Sequence, residues 1–340
     1  MTTDADPATG TRTVHDLHVW RNAVFVVFAL SGIALASWVA RIPGVRDDLD
    51  LTTQGVGLLI LGMSIGAIVG LSVSAPILAR LGARRGILTG MSIVAGGMVL
   101  IGIGTTIVPF IPLVAIGLVL FGLGNGAVDV MMNVEAATVE RKIGKTIMPL
   151  MHACFSLGTV IGAGIGAAAA ALNVAISWHL FAISVLVAGG TVTATRFIPR
   201  VHELGDENSP AEKLGWHARL IDNLSVWRDW RLILIGVVML GMAFAEGSAN
   251  DWIALATVDG HHQGNATGAL VFGVFVVAMT VGRVAGGPLV DRIGRVWAIR
   301  ITAVMGVIGL LMFIVGGPLW LVVVGTVLWG IGCSLGFPLG

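Results

Sequence analysis

The chain has 340 residues, of which 56% are apolar and 11% are charged, and its mean hydropathy is +0.93. Soluble domains carry about 25% charged residues, so this composition excludes an ordinary water-soluble protein and predicts a multi-pass membrane protein. The 20 Lys and Arg residues nearly balance the 19 Asp and Glu residues, and the net charge of +1 leaves no basic excess for a nucleic-acid partner.

Ten apolar segments are long enough to form transmembrane helices, because a hydrocarbon core about 30 Å thick requires roughly 20 apolar residues per helix. Residues 1–22 are polar and precede an apolar run with no small-residue cleavage site, so we expect them to remain as a cytoplasmic N-terminus. The predicted spans are Ala23–Ala40, Gly55–Leu78, Gly86–Ile107, Pro109–Val134, Thr146–Leu172, Val174–Thr195, Leu232–Ala254, Gly268–Val290, Val296–Gly316 and Leu319–Gly340.

The distribution of basic residues predicts the orientation of these spans. The only basic residues in the loops on one side are Arg41 and Arg46, which lie beside three aspartates. The alternate loops are rich in Arg and Lys. Because cytoplasmic loops carry the excess of positive charge, the basic side is expected to be the cytoplasmic one. The N-terminus is thus expected to lie inside, and we expect the protein to reside in the cytoplasmic membrane of a prokaryote.

The polar segment 196–231 divides the spans into a bundle of six over residues 23–195 and a bundle of four over residues 232–340. Within it, Leu220, Leu224 and Trp227 recur at helical spacing between charged residues, which predicts an amphipathic helix on the bilayer surface. That helix either tethers the seventh span or offers a site for a partner or a lipid.

The two halves of the chain repeat at a spacing of about 210 residues. The segment beginning at Phe121 matches the segment beginning at Trp329, an offset of 208, and the segment beginning at Ala75 matches the one beginning at Gly287, an offset of 212. A parallel repeat of six-helix bundles requires about twelve spans, whereas ten are present. We therefore expect the sequence to be truncated at its C-terminus, and the truncated form to be unstable and inactive.

Three polar residues of the fourth span, Asn125, Asp129 and Asn133, lie four residues apart and share one helix face. Asp129 is 12 residues before Arg141, which places it about 18 Å into the membrane. A carboxylate at that depth is costly unless it is neutralised, paired or facing water. Asp129 is therefore a candidate for proton coupling, and the alternative is a hydrogen-bonded clamp between helices.

Glu246 is a second intramembrane carboxylate, 14 residues past Leu232 and thus about 21 Å into the bilayer. It is a further candidate for proton coupling. On the fifth span His152 is either a proton relay or a core histidine. The residues expected to line a substrate cavity are Asn125, Asn133, His152, Ser156, Asn250 and Trp38.

Cationic side chains are absent from the first, fourth, fifth, seventh and tenth spans. An anionic substrate would favour such a cation in its cavity, so the sequence predicts a neutral or weakly cationic solute. Arg283 of the eighth span is expected to extend to the cytoplasmic surface. No spacing of His, Cys and acidic residues predicts a metal site or another cofactor, and no nucleophile–base pair predicts an enzyme.

The loop between the eighth and ninth spans, Gly287-Pro-Leu-Val-Asp291-Arg292-Ile-Gly294-Arg295, resembles the loop signature of the major facilitator superfamily. In that family the loop helps to hold one conformation of the transport cycle, which would give Gly287, Asp291, Arg292, Gly294 and Arg295 that role. The alternative is a plain positive-inside anchor. The first-half copy has alanine at positions 75, 79 and 83, where the signature has Gly, Asp and Arg.

Two segments of the first half, Gly122–Glu135 and Met148–Gly158, resemble the MosC-like group of this superfamily, as does Ala245-Glu246-Gly247. The resemblance implies an all-α major facilitator fold, with the first, fourth, seventh and tenth helices facing a central cavity. It implies a proton-coupled secondary transporter working by alternating access as a monomer, with a small molecule, protons and the lipid bilayer as its partners. The alternative is a membrane sensor or an inactive truncated homologue that does not transport.

Overall fold

A computed structural model describes residues 14–144, 147–199 and 230–335, and within these ranges the chain is helical with no β-strand. The prediction of an all-α protein is confirmed. The elements are α1 (Val14–Val39), α2 (Ile42–Asp48), α3 (Thr53–Gly102), a π-helical turn (Ile103–Ile107), α4 (Ile111–Ile143), α5 (Met148–Ala171), α6 (Ile176–Thr195), α7 (Trp230–Gly260), α8 (Asn265–Ile293), α9 (Arg295–Val315) and α10 (Leu319–Cys333).

Seven helical stretches of the described residues are long and apolar enough to cross a membrane, and α10 is a shorter apolar helix. Many of their large side chains point outward, among them Leu58, Ile68, Val185 and Val315. Exposed apolar surface on this scale would cause aggregation in water, but it matches the hydrocarbon tails of a bilayer. The outer faces of the helices thus support a multi-pass membrane protein.

Several helices depart from the predicted boundaries: α1 begins at Val14, nine residues before the predicted start at Ala23, and α7 continues to Gly260, past the predicted end at Ala254. α4 continues past the predicted end at Val134 to Ile143, where Gly144 adopts a left-handed conformation and ends it. The short helix α2 follows the first span directly and was not predicted, because its sequence, Ile-Pro-Gly-Val-Arg-Asp-Asp, contains Pro, Gly and three charged residues. Its proline lies in the first turn, where the missing backbone N–H costs nothing.

Several sequence-based predictions lie outside the described residues. They include the amphipathic helix around Leu220, Leu224 and Trp227, most of the linker predicted over 196–231, and the first part of the polar segment 1–22. The last five residues of the tenth predicted span also lie outside them.

The described helices form two compact units, α1–α6 and α7–α10. In the first unit a Cβ atom at Gly122 of α4 would overlap the Met63 carbonyl group of α3. In the second unit a Cβ atom at Gly330 of α10 would lie 2.6 Å from the Phe275 carbonyl oxygen of α8. The pairs Gly122–Gly330 and Met63–Phe275 are offset by 208 and 212 residues, so the repeat extends to the packing of its helices.

Both units reverse the chain at a glycine with the same backbone conformation. Gly82 has φ 71° and ψ 166°, and Gly294 has φ 81° and ψ 157°, at an offset of 212 residues. Residues with a side chain rarely adopt a positive φ of this kind, because their Cβ atom then collides with the backbone. Gly82 joins the second and third predicted spans within α3, and Gly294 joins α8 to α9.

We expect Gly122→Ala to lower the free energy of unfolding in detergent by about 1–3 kcal/mol, because its methyl group must push α4 away from Met63. Thermal unfolding of the purified protein measures this change. Gly96→Ala is the matched control, since a Cβ atom at Gly96 of α3 meets nothing within 4 Å. Equal effects of the two substitutions would show that the seam between α3 and α4 is not tightly packed.

Candidate functional site

Asn125, Asp129 and Asn133 line one face of α4, as their spacing predicts. Asn125 Oδ1 accepts a hydrogen bond of 3.2 Å from Ser31 Oγ of α1. Asn133 Nδ2 donates to the Asp129 backbone carbonyl at 2.8 Å and approaches Asp129 Oδ1 at 3.4 Å. This face therefore holds a carboxylate between two amide side chains.

The Asp129 side chain is exposed, and no Lys or Arg of the described ranges forms an ion pair with it. Its position follows from the packing of the opposite face of α4. Gly124 and Ala127 there lie against the backbone of α3, and Met131 is fully buried. Because small residues fix that face against α3, the polar face points away from it.

In the second unit Glu246 of α7 forms an ion pair with Arg283 of α8. Arg283 Nη2 donates to Glu246 Oε1 at 2.9 Å, and the two side chains are 18% and 21% exposed. Arg283 therefore does not extend to the surface as predicted, because the carboxylate on the neighbouring helix lies within its reach. Glu246 differs from Asp129 in having a fixed cationic partner.

The signal that could have revealed this pair was present in the sequence. Arg283 is the sole cation within its predicted span, and Glu246 is the sole charged residue before Asp251 in the preceding one. Charged side chains in neighbouring spans commonly pair with one another. The thiol of Cys333 on α10 lies within electrostatic range of both Glu246 and Arg283, so three helices converge here.

The remaining cavity candidates occupy different environments. His152 of α5 is exposed and its ring packs edge-on against Phe28 of α1 at 5.4 Å between centroids. Ser156, one turn along α5, is fully buried in the first unit, and Trp38 is 2% exposed. Asn250 of α7 is half-buried. Within the first unit His152 is therefore exposed whereas Ser156 and Trp38 are buried, and the predicted substrate cavity stays a prediction.

The loop motif is only partly described. Gly294 forms the turn between α8 and α9, and Arg292 is exposed at the end of α8. The side chains of Asp291 and Arg295, and the packing of Gly287, lie outside the described part of the structure. Their predicted conformational role stays a prediction.

Glu135 is a buried carboxylate that the sequence analysis did not single out. It is 3% exposed, and its Oε1 accepts a hydrogen bond of 2.7 Å from Trp20 Nε1 of α1. The Lys142 ammonium group lies 5.9 Å from the centroid of the Trp20 ring. Glu135 and Lys142 are seven residues apart on α4. This spacing places both on one helix face and was the available signal for Glu135 in the sequence.

Glu140 organises the connection from α4 to α5. Its Oε2 accepts hydrogen bonds from the backbone N–H groups of Ile147 at 2.7 Å and Met148 at 2.6 Å. The first N–H groups of a helix have no partner within it, and a negative charge is favourable there. This carboxylate therefore fixes the start of α5 against the end of α4.

Comparison with known proteins gives a consistent result. The model of the Major Facilitator Superfamily matches residues 22–340. An uncharacterized transporter of Sinorhizobium fredii, y4wD, is 30% identical over 325 residues, which cover 94% of this chain and 80% of the relative. The membrane protein MosC of Rhizobium meliloti is 26% identical over 272 residues, covering 80% of this chain and 62% of MosC.

Solved transporters share the fold at low sequence identity. A mutant of the nucleoside transporter NupG superimposes with a TM-score of 0.72 at 14% identity, covering 95% of this chain and 80% of NupG. A mutant of the Escherichia coli fucose:proton symporter FucP gives a TM-score of 0.63 at 16% identity and covers 94% and 82% of the two chains. These likenesses confirm the predicted fold.

Proposed function

We propose, from the premise that the chain belongs to the major facilitator superfamily, that it is a proton-coupled secondary transporter of a small neutral or weakly cationic solute. Membership of this family makes it a multi-pass membrane transporter and not an enzyme. Proton coupling, the class of solute and the orientation in the membrane are parts of the proposal.

The environment of Asp129 is the observation that supports proton coupling. Asp129 lies within a helix long and apolar enough to span a bilayer, it is exposed, and it forms no ion pair within the described residues. A carboxylate without a cation in such a place is stable when protonated or when water reaches it. Exchange between these two states, as the transporter opens to either side, would move one proton per cycle.

The charges of the two polar clusters support the solute class. Arg283 offsets Glu246, so that pair has no net charge to attract an ionic solute. The α4 face offers amide groups of Asn125 and Asn133 beside one carboxylate, a set that suits a neutral hydrogen-bonding solute or a weak cation. The structural neighbours include a nucleoside transporter and a fucose:proton symporter, which agrees with this class.

The proposed setting is the cytoplasmic membrane of a prokaryote, with the N-terminus in the cytoplasm and the protein acting as a monomer. The excess of Lys and Arg on alternate loops supports this orientation. It places Gly82, Gly294 and the α4–α5 connection on the cytoplasmic side, and α2 on the opposite side.

Proton flux in liposomes tests the proposal. The protein is reconstituted with a pH-sensitive dye inside, and nucleosides, sugars and weakly basic amines are added outside in turn. We expect one class to acidify the lumen, because each solute molecule that enters brings a proton, and a protonophore should abolish the signal. Protein-free liposomes and the Asp129→Asn variant are the controls.

Two outcomes would contradict the proposal. Solute entry with no change in the pH of the lumen would make the protein a facilitator without proton coupling. Saturable binding of a solute without any entry would favour the alternative of a non-transporting sensor, a reading that the altered first-half loop, with Ala79 in place of an acidic residue, also favours.

A further inference from the structure

Two buried polar side chains lie together where α1 ends and α6 begins. Arg41, in the turn after α1, is 7% exposed, and His179, in the first turn of α6, is 4% exposed. We call this pair the Arg41–His179 cluster. It shares no residue with the polar face of α4, and its cation, Arg41, was expected to lie in the loop after the first predicted span.

Most of the hydrogen-bonding groups of this cluster have no partner among the described residues. Arg41 Nη2 donates to the Val174 backbone carbonyl at 2.7 Å. Arg41 Nε and Nη1 and both ring nitrogens of His179 are buried and have no hydrogen-bond partner there. Buried polar groups are almost always hydrogen-bonded, so this concentration of unused groups at one place points to a ligand.

Small residues surround the cluster and bring four helices together. A Cβ atom at Gly166 of α5 would lie 3.8 Å from His179 Cε1 and 2.5 Å from the Cβ of Ala40, the residue next to Arg41. A Cβ atom at Gly44 of α2 would lie 3.2 Å from Ile176 Cδ1 at the start of α6. Arg41 also lies within electrostatic range of His179.

No carboxylate of the described ranges neutralises the buried guanidinium group. Asp48 of α2 is the acidic group that interacts electrostatically with Arg41. It is exposed, however, and forms no ion pair with Arg41 in the described structure. Burial raises the pKa of Asp48, and the charge of Arg41 opposes this only in part. Burial also lowers the pKa of Arg41, although a guanidinium group stays protonated at neutral pH.

A buried charge without a counter-charge is strongly destabilising. A water molecule could satisfy the N–H groups but would leave the positive charge unbalanced, whereas an anion supplies both acceptors and charge. Because the unpaired atoms are closed off from the surface, the ligand must be small. We propose that the Arg41–His179 cluster binds a small monovalent inorganic anion, with chloride as the representative, and that the anion joins the end of α1 to the start of α6.

Thermal unfolding of the full chain in detergent tests this site, with sodium chloride compared with sodium gluconate at equal ionic strength. We expect chloride to raise the unfolding midpoint in a saturable way, by about 3 °C when its concentration is about tenfold above Kd. Gluconate is too large for a closed site. Bromide should replace chloride, because it has the same charge and a similar size.

Three variants assign the effect to the cluster. Arg41→Gln should abolish the chloride-dependent shift, and Arg41→Lys should retain part of it, since the charge remains. Arg46→Gln is the matched control, because Arg46 lies in the same region and is paired with Asp47 at 2.7 Å. We expect it to keep the full shift.

A measurement on the unaltered protein covers the case in which Arg41→Gln fails to fold. Binding should broaden the NMR line of chloride ion, and bromide should reverse the broadening by competition. Equal midpoints in chloride and gluconate, together with an unbroadened chloride line, would overturn the proposal. A chloride effect that persists in a folded Arg41→Gln variant would overturn it as well, because the anion would then bind elsewhere.

Discussion

Asp129→Asn is expected to abolish proton-driven accumulation of the solute while leaving exchange down the solute's own gradient intact. Asparagine keeps the size and the hydrogen-bonding capacity of the side chain but cannot take up or release a proton. The accumulation ratio should fall to about one, since a proton gradient then no longer biases the two states of the transporter. Uptake of labelled solute into liposomes with an imposed proton gradient measures this ratio.

Asp50→Asn is the matched control for this experiment. It makes the same chemical change at an exposed residue after α2, where φ is 48° and asparagine is well tolerated. Accumulation by this variant should equal that of the unaltered protein. If Asp129→Asn also left accumulation and its pH dependence unchanged, Asp129 would be a structural clamp with Asn133.

Neutralising one partner of the Glu246–Arg283 pair is expected to destabilise the protein by about 3 kcal/mol, because the other charge is left half-buried and unpaired. Arg283→Gln and Glu246→Gln should each lower the unfolding midpoint in detergent. The double variant should recover most of the loss, since it leaves no unpaired charge. A double-mutant cycle on the unfolding free energies measures the coupling between the two side chains.

Arg300→Gln supplies a control for the loss of a positive charge. Arg300 of α9 is exposed and stacks on Trp297 at 5.4 Å, so its removal should have a small effect. Additive losses in the double variant would show that the pair contributes no coupling energy. Full proton-coupled transport by a stable double variant would show that Glu246, a candidate for proton coupling from the sequence, is not needed for it.

Hydropathy was sufficient to predict most of the long apolar helices, and the matched segments were sufficient to predict the repeat, because both are properties of local sequence. A helix must bury its apolar residues whatever its neighbours are, and Gly122 and Gly330 mark close helix contacts without reference to the partner helix. The polar face of α4 was predictable for the same reason, since its four-residue spacing fixes the common face.

The sequence offers candidate partners for the charged residues but does not select among them, because the choice depends on how helices rotate against each other. Arg283 is equally able to reach the surface or the neighbouring α7, and the packing of α7 against α8 selects Glu246. The predicted span boundaries placed Arg41 in a loop, but in the structure this residue lies in the turn directly after α1 and is buried. Glu135 was overlooked because its partner, Trp20, lies 115 residues away in sequence.

Gly82 and Gly294 have matching backbone conformations although the side chains of their two loops differ. The first loop has alanine at positions 79 and 83, where the family signature has an acidic and a basic side chain, yet its backbone turns in the same way as that of the second loop. The same backbone turn thus occurs both with and without those side chains. Because Ala79 is exposed, an aspartate could be restored there without moving either helix, so the asymmetry between the halves is one of sequence and not of architecture.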